Sequence, residues 1–215
     1  MEMLTALQIV DWGLLDYRTA LERQNSIVQD HLLGKGQDVL VLVEHPATVT
    51  LGRRATGADL RLSEPEFVER NVSLQQINRG GLATAHEPGQ LVAYPIIRLK
   101  KKDLHWFSRT YLGVVISLLA EYGLRGDLKD SEPGVWVDGR KICSFGIALK
   151  KWVSSHGIAL NVNNDLATFD TIIPCGRPEE TVTSMSKELG FMLNYEELKN
   201  KFTSLFLRAF FYETM

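Results

Sequence analysis

Cys175 lies in Ile173-Pro174-Cys175-Gly176-Arg177-Pro178, where prolines and a glycine place it on a constrained turn, outside any helix or strand. Reactive thiols are partly exposed and near positive charge, whereas structural ones sit among apolar neighbours. Cys143, in the apolar run Lys141-Ile142-Cys143, fits the second description. A thiol nucleophile needs a group that lowers its pKa or takes its proton. His86, His156, Lys141 and Arg177 are the candidates. Lys141 would favour the thiolate through its charge and, once neutral, accept a proton. The plainer alternative is a solvated lysine just after a hairpin turn. His31, His45 and His105 read as structural or exposed. No carboxylate pair or metal-ligand spacing stands out, so no metal is expected.

The densest unusual segment runs from Arg79 to Gln90: Arg79-Gly80-Gly81-Leu82-Ala83-Thr84-Ala85-His86-Glu87-Pro88-Gly89-Gln90. Paired glycines permit close approach of a ligand to the backbone. The arginine, threonine and histidine around them supply donors for a polar head group. An ordinary glycine turn between two strands is the competing reading. The segment is not a phosphate-binding P-loop, because no Gly-Lys-Ser/Thr follows at the required spacing.

These residues need a scaffold. Residues 14–33 read as an amphipathic helix, with Leu14, Tyr17, Leu21, Val28 and Leu32 near one face and Gly34 and Gly36 marking its end. Val39 to Val43 is a short apolar run and reads as a buried strand, broken at His45-Pro46 and resumed from Ala47 to Leu51. Residues 52–70 read as a long loop with a helical turn, and 73–78 as a strand entering Arg79-Gly80-Gly81. Gln90 to Ile97 reads as another strand, whose Pro95 argues against a central ladder position. Leu104 to Tyr122 is the clearest helix. Asp138-Gly139-Arg140 between Val135-Trp136-Val137 and Lys141-Ile142-Cys143 signals a hairpin. Gly157 to Val162 reads as a strand. Asn194, with Glu197 three residues on, opens a last helix carrying Leu198, Phe202, Leu205, Phe206 and Phe210.

The chain has 215 residues, 45% hydrophobic and 23% charged, which predicts one mixed α/β domain with a sizeable core over residues 1–215. Two cysteines exclude a four-cysteine zinc site and make a disulfide framework a poor fit. No run approaches the ~20 apolar residues of a membrane span, and the first residues lack signal-peptide character, so a cytoplasmic compartment is expected. A net charge of -2 argues against a general polyanion binder. Lys100-Lys101-Lys102 and Lys150-Lys151 are local basic clusters. They read as solubilising loops or as patches that dock small acidic proteins.

In order along most of the chain, these segments resemble the octanoyl-acyl carrier protein:protein N-octanoyltransferase family. The resemblance is carried by Glu44-His45-Pro46, by Arg79-Gly80-Gly81 with Thr84, His86 and Pro88-Gly89-Gln90-Leu91-Val92-Ala93-Tyr94-Pro95-Ile96, and by Gly134-Val135-Trp136-Val137 with Lys141-Ile142. It continues through His156-Gly157-Ile158-Ala159-Leu160-Asn161-Val162 to Pro174-Cys175-Gly176. The resemblance implies an α+β fold shared with the catalytic domains of biotin and lipoate protein ligases, a mixed sheet with helices packed around it.

The implied activity moves an octanoyl group from octanoyl-acyl carrier protein to a lysine ε-amine on lipoyl domains, those of 2-oxoacid dehydrogenase E2 subunits and the glycine-cleavage H protein. Cys175 maps to the acyl-carrying nucleophile and Lys141 to its partner. Arg79, Gly80, Gly81, Leu82, Ala83, Thr84, Ala85 and His86 would line the acyl site. Ser144, Phe145, Gly146, Gly157, Ile158 and Ala159 would wall an apolar tunnel. Exchange of thioester for thioester implies no ATP and no cofactor. No nucleic-acid or membrane partner is expected, and a monomer is.

Two departures stand out. Glu87 replaces the family's usual glycine after the motif histidine, which bears on loop flexibility or on charge at the pocket mouth. Cys143 and Ser144 stand where many relatives carry small apolar residues. The rival readings are an ATP-dependent lipoate or octanoate protein ligase, and a non-catalytic module that binds lipoyl domains.

Overall fold

Five consecutive apolar residues, Val39 to Val43, have no polar side to turn outward, so their strand must be covered on both faces. In the computed structural model they form β2 (Val39–Glu44), buried from Val39 to Val43. The structure describes residues 7–129, 132–173, 176, 177 and 179–210; the Cys175 assignment lies outside them.

β2 sits inside a seven-stranded sheet with β1 (Gln8–Leu14), β6 (Gln90–Ile96), β7 (Asp127–Lys129), β8 (Glu132–Val137), β9 (Arg140–Lys150) and β10 (Val153–Asn161). The strand order is β1-β2-β6-β10-β9-β8-β7. β1 runs parallel to β2, and the other neighbours are antiparallel. A three-stranded sheet, in the order β4-β3-β5, is built from β3 (Thr48–Leu51), β4 (Ser73–Gln76) and β5 (Ala83–His86).

Helices α3 (Leu104–Glu121) and α5 (Tyr195–Phe210) cover one face of the large sheet, and Phe107, Tyr111, Phe202 and Phe206 fill the core between them. α1 (Tyr17–Leu32) covers the other face over Val41, Val43, Val92 and Tyr94. The short helices α2 (Glu64–Glu69) and α4 (Met185–Leu189) lie in the connections. The small sheet has its own core around Val49, Phe67, Ala85, Phe169 and Ile172. No helix of the described residues is long and apolar enough to cross a membrane.

Three expectations are corrected. First, α1 begins at Tyr17, because Asp16 accepts the Thr19 N–H at 3.0 Å and caps it. Leu14 instead ends β1 and is 61% exposed. The buried stripe of α1 also includes Gln24 and His31, which the apolar pattern passed over. Second, Ala83 to His86, in the segment for which a glycine turn between two strands was the competing reading, form a strand of their own, β5, paired with β3. Third, Pro95 lies in the central strand β6, opposite Leu40 of β2. Its carbonyl accepts from Ser154 Oγ at 2.6 Å on the β10 side. Its missing N–H therefore points the same way, where the β6–β10 ladder has ended at Ala93 and no bond is lost.

The Asp138-Gly139 hairpin forms as its sequence requires, with left-handed φ of 46° and 80°.

Candidate active site

Gly146 of β9 and Gly157 of β10 face each other directly across the ladder. Both line a cavity of about 230 Å³, and a Cβ on Gly146 would meet Arg79 Cδ at 3.0 Å, so the arginine stem packs directly on the sheet there. A Cβ on Gly157 would come within 2.0 Å of the Ala93 carbonyl oxygen, so only glycine fits this crossing of β6 and β10. Arg79, Gly81, Leu82, Ala83, Thr84 and His86 line one side of the cavity. Ser144, Phe145, Gly146, Gly157, Ile158 and Ala159 line the other. Thr84 Oγ1 donates to Ser144 Oγ at 3.1 Å and ties the two sheets across it.

Two of the expected lining residues stand elsewhere. The Gly80 N–H donates to the Ile147 carbonyl at 3.2 Å, and Ala85 alternates away into the small-sheet core. Tyr17, Tyr94, Arg54 and Glu132 line the cavity without having been singled out. Tyr94 lay inside the recognised motif, but the other three come from separate stretches of chain, and nothing local in the sequence marks them.

Lys141 is 6% exposed and lines the cavity, so it is not a solvated surface lysine. A bulge puts it there. Val135 pairs with Cys143 and Trp136 with Lys141, leaving Ile142 unopposed on β9. Strict alternation would separate Lys141 from Ser144, and the extra residue returns it to Ser144's face. Lys141 Nζ lies 5.0 Å from the centroid of the Trp136 ring. Its backbone is held on both sides, by a bond from its N–H to Thr181 O and one from Thr183 N–H to its carbonyl, at 2.8 and 2.9 Å. Gly134 makes room for the stem: a Cβ there would meet Lys141 Cε at 2.9 Å.

Of the described residues around Cys175, Gly176 and Arg177 are tied to this cavity. The Ile173 N–H donates to the Asp59 carbonyl at 2.8 Å. Gly176 lies against Leu82, and Arg177 lines the cavity with its Nη2 2.7 Å from Glu132 Oε1. Cys143 faces the opposite core, fully buried, and burial pushes its thiol up to about 12.

The histidines of the site are held neutral. Gln90 Nε2 donates to the Ala85 carbonyl and to Asn161 Oδ1, so Gln90 Oε1 must accept from His86 Nδ1 at 2.9 Å. This leaves the lone pair on His86 Nε2, toward Thr50 Oγ1 at 3.4 Å. Burial, then the neighbouring His45, holds His86 well below the ordinary histidine range. His45 Nδ1 donates to the Leu15 carbonyl at 2.7 Å, so its Nε2 accepts from the Tyr94 hydroxyl at 2.8 Å. His156 has a left-handed φ of 58° at the cavity wall, and its N–H donates to Gln24 Oε1 at 2.9 Å.

Burial lowers both His45 and His156 from 6.5 to about 4. Below 6.5 the unfolded chain binds protons that the folded chain refuses, so this stability is complete above that pH and is lost on acidification toward 4. Each site then costs about 3 kcal/mol across the window. Urea unfolding should show stability falling steadily from pH 6.5 to 4, with a shallower fall in His156→Asn. A flat profile would contradict the buried neutral state.

Comparison with known proteins places this geometry. Residues 16–207 match the lipoyl protein ligase A/B catalytic domain. A protein of Nitratidesulfovibrio vulgaris named octanoyltransferase is 40% identical over 204 residues, covering 94% of this chain and 93% of that one. An octanoyltransferase of Rubrobacter xylanophilus is 47% identical over 180 residues, covering 83% and 81%. Among solved structures, a bipartite lipoate protein ligase of Thermoplasma acidophilum superposes with a TM-score of 0.72 at 16% identity, covering 94% of this chain and 82% of that one. A biotin protein ligase of Aquifex aeolicus gives a TM-score of 0.58 at 15% identity, covering 95% and 69%. At these identities the solved structures share the fold, as the sequence reading expected.

Proposed function

The chain belongs to the lipoyl protein ligase A/B catalytic domain family, and we propose that it acts there as an octanoyltransferase. In this reading the whole chain is one catalytic domain. It takes an octanoyl group from octanoyl-acyl carrier protein onto Cys175 and passes it to a lysine ε-amine of a lipoyl domain. The acceptors would be 2-oxoacid dehydrogenase E2 subunits and the glycine-cleavage H protein. The observation that carries the reading is a buried lysine, Lys141, lining a cavity that Arg177, two residues beyond Cys175 in sequence, also lines. Relatives of nearly full-length match bear the octanoyltransferase name.

The residues supply a two-step route. The Lys141 ammonium favours the Cys175 thiolate, which attacks the thioester carbonyl. The carrier thiolate leaves and takes up the proton of the Lys141 ammonium, which leaves Lys141 neutral, and the acyl group is now a thioester on Cys175. Nearby donors hold the oxyanion that forms during attack. The step exchanges one thioester for another, so it is nearly isoenergetic. The acceptor amine then attacks the acyl-Cys175 carbonyl, Lys141 in its neutral form takes the amine proton, and the Cys175 thiolate departs. An amide is more stable than a thioester, which drives the sequence forward without ATP.

The acyl chain would lie between Val92, Phe145, Ile158 and Ala159. At ~0.8 kcal/mol per buried methylene, the depth of this slot selects chain length.

The two lysine clusters support docking of an acidic donor. The Leu99 N–H donates to the Trp152 carbonyl at 2.8 Å, which brings Lys100-Lys101-Lys102 beside Lys150-Lys151 at one end of the large sheet. All five are exposed. Lys150 lies four residues along β9 from Gly146, roughly 13 Å from the cavity floor.

Incubation with octanoyl-acyl carrier protein and a lipoyl domain, with no nucleotide present, tests the reading. We expect the acceptor to gain one octanoyl group. Transfer that starts only when free octanoate and ATP are supplied would assign the chain to the ligases instead.

A further inference from the structure

The turn between β5 and β6 grips the segment that leads to Cys175. Gly89, at φ +86°, lies so close to it that a Cβ would meet the Asn164 nitrogen at 2.8 Å. The Asn163 N–H donates to the Gly89 carbonyl at 2.9 Å. Glu87 adds the larger share. It is 4% exposed and does not line the cavity, so it neither loosens a loop nor charges the pocket mouth. One carboxylate oxygen accepts from Asn164 Nδ2 and from the Leu166 N–H, both at 2.7 Å. The other accepts from the Thr168 N–H at 2.8 Å. Between these bonds Leu166 is held at a left-handed φ of 72°, a conformation that L-residues rarely adopt.

Beyond Thr168 the ties are made by main chain. Thr171 O accepts from the Arg61 N–H at 2.9 Å, Ile172 bridges to Leu60, and the Ile173 N–H reaches Asp59. Glu87 thus joins the strand that carries His86 to the chain that continues toward Cys175, through three bonds to one buried carboxylate.

We propose that Glu87 is a positioning residue of the transfer centre: its carboxylate fixes Asn164 to Thr168 against β5 and so sets where the chain carries Cys175 relative to Lys141. The inference rests on the Cys175–Lys141 reading above. Glutamine at this position would turn an NH2 group toward a backbone N–H and lose part of the grip. Alanine would lose all of it.

The test is the pH dependence of Cys175 alkylation by iodoacetamide, followed by peptide mass in the full-length wild type, Glu87→Gln and Glu87→Ala, at a temperature where each is folded. Cys143 is fully buried and stays silent. We expect the alkylation midpoint to rise by about one pH unit in Glu87→Ala, which is about tenfold slower labelling at neutral pH, with a smaller rise in Glu87→Gln. In steady-state transfer, kcat should fall with KM within about twofold of wild type. Coincident alkylation profiles would overturn the proposal even if the melting temperature dropped, because a purely structural Glu87 moves only the latter. If the alanine variant does not fold, the glutamine variant decides. Alkylation needs no octanoyl donor, so a wild type that takes up no octanoyl group would sink the proposed activity and leave this result readable.

Discussion

Cys175→Ala should form no acyl-enzyme and should lower octanoyl transfer by at least about a thousandfold. The reasoning is chemical. A route through a thioester intermediate has no substitute for its nucleophile, and the chain offers only one other thiol, Cys143. That thiol is buried in the core between the large sheet and α3, and burial pushes it up to about 12. It is almost entirely protonated near neutral pH and out of reach of substrate, so Cys143→Ser should keep most of the transfer rate. Intact-protein mass after mixing with octanoyl-acyl carrier protein reads both variants. Octanoylation of Cys175→Ala at the wild-type level would remove Cys175 from the mechanism.

Lys141 carries the second large effect. Lys141→Ala should slow both half-reactions, each on the order of a hundredfold, because it removes the charge that favours the thiolate and the group that takes the amine proton. Lys141→Arg separates the two roles. Arginine keeps the charge but cannot give up its proton at usable pH. Acylation should then survive in part while transfer to the acceptor lysine fails, so octanoyl-enzyme accumulates. Rapid-quench mass spectrometry of the two half-reactions distinguishes these outcomes. Unchanged rates in Lys141→Ala would make it a packing residue over Trp136, from whose ring it lies 5.0 Å.

Much of this arrangement was legible before any coordinates. Asp138-Gly139 announced its hairpin because few residues other than glycine, asparagine and aspartate tolerate two successive left-handed positions. α3 was legible because its apolar residues recur at helical spacing, and β2 because a short wholly apolar run suits a buried strand. The walls of the cavity were legible through the resemblance, down to Ser144 and Thr84, which bond across it.

What escaped had non-local causes. Ala83-Thr84-Ala85-His86 is rich in small residues and has little strand propensity of its own. β3 makes it a strand by pairing with it. Pro95 argued for an edge and lies in a central strand, because β10 leaves the ladder on the side where the proline lacks its donor. Gln24 was invisible to an apolar count, yet it is buried because its side chain satisfies the backbone of His156, 132 residues away. Glu87 read as a departure bearing on loop flexibility or on charge at the pocket mouth, but its three partners lie 77 to 81 residues further on.

The passage of the octanoyl group through Cys175 is the centre of this account. The direct measurement loads the wild-type protein with octanoyl-acyl carrier protein, removes the donor, maps the modified peptide, and then adds a lipoyl domain without nucleotide. The account predicts one octanoyl group on the peptide containing Cys175, followed by its loss from the enzyme and stoichiometric gain by the acceptor lysine. An unmodified enzyme that transfers only while donor and acceptor are present together would contradict it.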